Sequence, residues 1–144
     1  MATQIFLGIE HMAIAARSPE ALADWYARVL GFHVHATFDN GENKPMTYFI
    51  RLGGDGPFLE IFPANREQAG REKPNTEPGI SHLAISVGNF EAALEILAHS
   101  GARPEGEERK GSTGFRVQFY RDPEGNLFHI LYRPAPLPQG KSKA

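Results

Sequence analysis

Gly8-Ile9-Glu10-His11 recurs as Gly79-Ile80-Ser81-His82, and the fold follows from that recurrence. Other pieces repeat around it in the same order. Glu20-Ala21 corresponds to Glu91-Ala92, Gly31 to Gly101, and Phe58-Leu59-Glu60-Ile61-Phe62 to Leu127-Phe128-His129-Ile130-Leu131. Self-similarity in a fixed order marks one supersecondary unit used twice. It also accounts for the length: 144 residues make one domain with a real core, whereas half of that buries little surface alone.

Each copy predicts strand–helix–strand–strand–strand. In the first, residues 6–16 alternate as a strand does. Ser18-Pro19-Glu20 supplies an N-cap and a proline at the first helical position. Leu22, Trp25, Tyr26, Val29 and Leu30 then recur at helical spacing, and Gly31 stands at the C-cap. Strands are expected at 33–38, 46–52 and 58–62, parted by Asp39-Asn40-Gly41 and Gly53-Gly54-Asp55-Gly56. In the second copy a strand is expected at 79–87. Asn89 opens a helix carrying Phe90, Ala93, Leu94 and Leu97, which Gly101 stops. A weakly marked strand at 102–107 follows, then strands at 115–121 and 127–132 joined by the hairpin turn Asp122-Pro123-Glu124-Gly125-Asn126. The modules are therefore 5–62 and 79–132 of a single domain. Residues 63–78 form a polar linker and 133–144 a proline-rich extended tail. The class is α+β: two tandem βαβββ modules forming curved mixed sheets around a metal-binding cavity.

Composition narrows the chemistry. With no cysteine there is no disulfide scaffold, thiolate zinc site or cysteine nucleophile, so any metal must be held by imidazole and oxygen donors. A net charge of −2 leaves no basic footprint for nucleic acid. No apolar run approaches the roughly 18 residues of a membrane helix, and no basic segment opens a signal peptide. A cytoplasmic protein without membrane or nucleic-acid partners is expected.

The repeat sorts the six histidines. Residues two apart in a strand share a face. His11 shares its face with Ala13 and Ala15, opposite Met12 and Ile14. His82 shares its face with Ala84 and Ser86, opposite Leu83, Ile85 and Val87. Each strand thus has a greasy face for a helix and a small-residue face carrying one histidine. On the last strands, Glu60 sits between Phe58 and Phe62, and His129 between Leu127 and Leu131. A carboxylate among apolar neighbours is costly to bury unpaired, and a cation relieves that cost. A lone strand histidine is more often a hydrogen-bonded residue than a ligand. The equivalences of His11 with His82 and of Glu60 with His129 favour a metal cage made of all four. His33, His35 and His99 have no repeat partner. The first two share a face with Thr37 that could touch the cavity, a solvated face being the simpler expectation, and the third is expected on the helix surface. Arg51, Arg116, Tyr48 and Tyr120 lie on middle strands, where recognition of an anionic substrate is one reading and a surface position the simpler expectation.

These pieces resemble a known family. Gly8–Ile14, Asp24-Trp25-Tyr26-Ala27-Arg28-Val29-Leu30-Gly31-Phe32, His82–Val87 and Arg121–Asn126 are similar to the vicinal oxygen chelate superfamily, the glyoxalase/bleomycin-resistance/dioxygenase group, up to about Tyr132. The resemblance implies metal positions at His11, Glu60, His82 and His129. The family usually carries glutamate at the last of these; here the carboxylate lies in the other module. It implies one divalent ion (Fe, Mn, Ni, Co or Zn), a small-molecule substrate and a homodimer, the site lying within one chain or shared by two. The implied activity is a lyase, isomerase or epimerase that chelates vicinal oxygens and stabilises an enediolate, with Glu60 as catalytic base. An extradiol-type Fe(II) dioxygenase and a non-catalytic resistance protein that sequesters a small molecule are the alternatives.

Overall fold

The structure, a computed structural model, describes residues 3–65 and 70–141. It divides into two compact units, Met1–Ala69 and Gly70–Ala144. The first contains β1 (His11–Ala16), α1 (Pro19–Leu30), β2 (His33–Phe38), β3 (Thr47–Arg51) and β4 (Phe58–Pro63). The second contains β5 (Leu83–Ser86), α2 (Phe90–Ala98), β6 (Arg103–Lys110), β7 (Arg116–Arg121) and β8 (Leu127–Tyr132). Each builds one four-stranded mixed sheet, ordered β1-β4-β3-β2 and β5-β8-β7-β6. In both, the first strand runs parallel to the last and the other pairs are antiparallel.

The helix explains which sheet face is buried. In the first unit α1 turns Leu22, Ala23, Trp25 and Tyr26 inward, all nearly inaccessible, against Ile50, Leu59 and Ile61. Each such large side chain contributes about 1.5–3 kcal/mol by leaving water. Pro19 opens the helix, and the Leu22 amide donates to the Ser18 carbonyl at 3.0 Å, while the Ser18 side chain makes no capping hydrogen bond. Gly31 closes it in the left-handed region at φ +79°. There its N–H reaches the Ala27 carbonyl at 3.2 Å, a conformation open to glycine at no steric cost. In the second unit Phe90 and Leu97 of α2 are buried, as are Phe128 and Ile130 of β8 and Tyr120 of β7. Asn89 caps α2 by accepting from the Ala92 amide at 3.0 Å.

Several boundaries differ from the expectation. β1 begins at His11, and Ile5, Phe6, Leu7 and Ile9 stand in water although their alternation reads as strand. β5 is likewise shortened to Leu83–Ser86, so His82 immediately precedes it. The reason is common to both: β4 begins at Phe58 and β8 at Leu127, so the ladders offer little to pair with upstream. α2 ends at Ala98, with His99 as its C-cap rather than Gly101. β6 extends to Lys110, held by its pairing with β7. Of the expected linker, residues 66–69 lie outside the described residues, as do 142–144 of the tail. Glu72 pairs with Arg103, and the Lys73 carbonyl accepts from Arg121 at 2.9 Å, so this stretch is fastened to the second unit. The turn after β7 is structural as expected. Buried Asp122 accepts from the amides of Glu124 and Asn126 at 2.9 and 3.0 Å.

Candidate functional site

In the first unit, the sheet face away from α1 carries His11, Ala13 and Ala15 from β1, Phe58, Glu60 and Phe62 from β4, and Phe49 and Arg51 from β3. The register sets Ala13 beside Glu60 and His11 beside Phe58. Glu60 also lies opposite Phe49. The parallel pairing brings His11 Nε2 to 3.2 Å from Glu60 Oε2. The other ring nitrogen, Nδ1, lies 3.0 Å from Glu10 Oε2. A carboxylate only accepts, so the Glu10 contact requires a proton on Nδ1. In that tautomer Nε2 presents a lone pair to the Glu60 oxygen, and a proton or a metal ion must stand between them. Phe49 meets the His11 ring edge-on at 5.5 Å.

The second unit repeats the construction with different chemistry. Ala84 pairs with His129 and Phe119 lies opposite it, as Ala13 and Phe49 do for Glu60. The rings of His82 and His129 are 4.4 Å apart between centroids, and Phe119 meets both edge-on at 5.0 and 4.8 Å. Ser81 Oγ lies 2.8 Å from His82 Nδ1, the counterpart of Glu10 in the first unit. His129 is 8% exposed, and among the described residues neither of its ring nitrogens has a hydrogen-bond partner. Burial, and then the charges of His82 and Arg133, push its pKa down to about 4. Burial also lowers that of His82. Both rings are therefore held neutral near pH 7, the form that binds a metal. His129 borders a depression of about 440 Å³ lined also by Arg109, Phe115, Val117 and Phe119.

The four expected ligands thus form two pairs, His11 with Glu60 and His82 with His129. Among the described residues, neither unit by itself brings three His, Asp or Glu side chains together around a metal position. The donor chemistry fits a metal. With bonds of about 2.1 Å, two adjacent donors at right angles sit about 3.0 Å apart, close to the His11–Glu60 separation. The unpartnered nitrogens of His129 supply the kind of buried donor that a cation satisfies.

Other expectations are resolved by face. His99 is on the helix surface, 3.2 Å from Glu95. His33 is exposed. His35 is exposed too, but its ring packs against Phe58 at 4.9 Å, so it borders the site rather than open solvent. Tyr120 is buried on the helix side, stacked on Phe128. Arg116 also turns to the helix side, over Phe90 and paired with Glu91 and Glu108 at 2.7 Å each. Sequence reasoning missed the roles of Glu10 and Ser81 at Nδ1. Their position just before the repeated histidine was the available signal.

The family profile described as Glyoxalase/Bleomycin resistance protein/Dioxygenase superfamily matches residues 8–130. The chain belongs to this superfamily. Among superfamily relatives, it is 32% identical over 114 residues to human mitochondrial methylmalonyl-CoA epimerase, covering 77% of this chain and 64% of that protein, just under two thirds of its length. To the ethylmalonyl-CoA/methylmalonyl-CoA epimerase of Cereibacter sphaeroides it is 31% identical over 121 residues, covering 82% of this chain and 90% of that one. The crystal structure of a glyoxalase family protein from Enterococcus faecalis superposes with a TM-score of 0.69 at 27% identity, covering 89% of this chain and 99% of the other. Among the described residues no helix is long and apolar enough to cross a membrane.

Proposed function

We propose that the chain is a metal-dependent isomerase or epimerase of the glyoxalase superfamily, removing a proton from carbon next to a carbonyl. The carrying observation is the His11–Glu60 pair at 3.2 Å, repeated by the unpartnered His129 beside His82. One divalent ion would be held by His11, Glu60, His82 and His129, two donors from each unit, from one chain or from two chains of a homodimer. When bound, it would supply Lewis-acid stabilisation of the enolate charge that develops as the α-proton leaves.

The chain's own residues do the rest. Glu60 takes the α-proton on its carboxylate, the one carboxylate of the set. Glu10 holds His11 through Nδ1 and so fixes which nitrogen faces Glu60. Phe49, Phe58 and Phe62 share the sheet face of Glu60 and give the carboxylate an apolar border. The names of the two epimerase relatives support a substrate of the 2-alkylmalonyl thioester class, whose two carbonyl groups offer the oxygens to be chelated.

Exchange of the α-hydrogen of methylmalonyl-CoA in deuterated water, followed by NMR, tests this. Exchange should depend on added divalent metal, be lost with chelator, and fall about 10²–10⁴-fold in Glu60→Gln. Full exchange in Glu60→Gln would remove Glu60 as the base. Full exchange in chelated protein would remove the metal. Pairing His11→Ala with His82→Ala tells shared from single-chain sites, since only a shared site regains activity on mixing.

A further inference from the structure

Arg51 and Arg121 occupy the same position in the repeat. Each lies two residues past the phenylalanine, Phe49 or Phe119, that faces Glu60 or His129 across the ladder. Their surroundings are opposite. Arg121 is 4% exposed and saturated: Nε and Nη2 donate to Glu105 at 3.0 Å each, Nη1 to the Gly125 carbonyl at 3.2 Å, and Nη2 to the Lys73 carbonyl at 2.9 Å. Arg51 has no such partner among the described residues. Its Nε is buried without a hydrogen bond, and its guanidinium carbon lies 4.7 Å over the Phe58 ring.

A desolvated guanidinium Nε–H with nothing to donate to is costly unless a ligand supplies the acceptor. Stacking on an aromatic face fixes the plane of the fork and leaves its edge for bidentate contact with an anion. Phe58 also packs against His35 and Phe49, and Phe49 against His11, so the arginine stands on the same aromatic shelf as the His11–Glu60 pair. Two residues of strand separate it from Glu60's partner Phe49, about 7 Å along the sheet. We infer that Arg51 is a specificity-determining residue that binds an anionic group of the substrate, a carboxylate or a phosphate, one sheet step from the reacting carbon. This deepens the proposed function and rests on it for the word substrate; the anion site itself stands on Arg51 and Phe58.

The test uses the full-length protein treated with chelator, so that anion binding to a metal does not enter. Malonate, inorganic phosphate and neutral malonamide are titrated while the arginine Nε–H resonances are followed by NMR, that of Arg51 being assigned by its loss in Arg51→Gln. Malonate or phosphate should bind saturably and shift the Arg51 resonance, malonamide should not, and Arg51→Gln should weaken binding about tenfold or more. The tighter of the two anions assigns the group as carboxylate or phosphate. Arg51→Lys should recover part of the affinity. Binding unchanged in Arg51→Gln, malonamide binding as well as malonate, or no saturable anion binding would each overturn the proposal. Arg51→Lys also lacks the arginine Nε–H and supplies the same assignment, so a glutamine variant that failed to fold would leave the test standing. Deuterium exchange plays no part, so the epimerase reading and the anion site fail independently.

Discussion

The two modules agree on the helix side of their sheets and diverge on the other side. Leu59 and Ile61 in the first correspond to Phe128 and Ile130 in the second, and all four are almost fully buried. On the opposite face the first module sets Glu60 against His11, and the second sets His129 against His82 among Val117, Phe119 and Leu127. One pair is polar and partly exposed, the other desolvated. The difference teaches where a duplicated unit is free to change. Packing under the helix fixes strand order and register, because a one-residue slip would turn the buried set outward. Once that is fixed, the opposite face can exchange an acid for a base or a structural arginine for a binding one without altering the fold.

The largest expected effect tests that division directly. Arg121→Met removes four hydrogen bonds, including the two to Glu105, and leaves two backbone carbonyls without their donor. It should cost about 3 kcal/mol in urea or guanidinium unfolding. Arg51→Met, at the equivalent position, breaks no hydrogen bond and should cost less than about 1 kcal/mol. Equal losses would erase the distinction between the two arginines.

An effect of about the same size in the second module is read by pH. With metal removed, His129 is neutral in the folded state down to about pH 4, whereas in the unfolded chain it protonates near its ordinary 6.5. Below 6.5 the unfolded state binds the extra proton. The stability contributed by the depressed pKa is present above 6.5 and is lost as pH falls from there through about 4. The loss should be about 3 kcal/mol, read as a falling Tm of chelated protein, and His129→Gln should remove that part of the slope. An unchanged slope would mean that another group dominates the acid sensitivity.

Much of this was legible in the sequence because it depends on periodicity. Helical spacing in Leu22, Trp25 and Tyr26 and two-residue spacing around Glu60 and His129 encode which face is buried, and the repeat encodes which strands share a role. β2 at 33–38 and β8 at 127–132 coincide with the expected strands. The strand starts were not legible. Residues 6–10 have the alternation of a strand, but pairing is a property of the neighbour, and β4 reaches back only as far as Glu10, whose carbonyl accepts from the Phe58 amide at 2.9 Å. For the same reason Arg51 and Arg121 look alike in sequence. What separates them is Glu105, contributed by β6 with the Lys73 and Gly125 carbonyls, and no local pattern announces that a distant acid will reach one arginine and not the other.

The smallest effect concerns Glu10 and Ser81, the residues that hold the two repeat-equivalent histidines by Nδ1. Glu10 is largely exposed, so Glu10→Gln keeps an acceptor for the ring and loses a charge already screened by water. Ser81 is half-buried against half-buried His82, where no water readily replaces the hydroxyl. Competition against a chromophoric chelator for Zn(II) should show Ser81→Ala weakening metal binding by about tenfold, and Glu10→Gln by no more than about threefold. The order follows from burial, since an orienting hydrogen bond is worth more where solvent cannot substitute for it. The reverse order would place the dominant hold on the metal in the first module, with His82 and His129 serving chiefly as packing for Phe119.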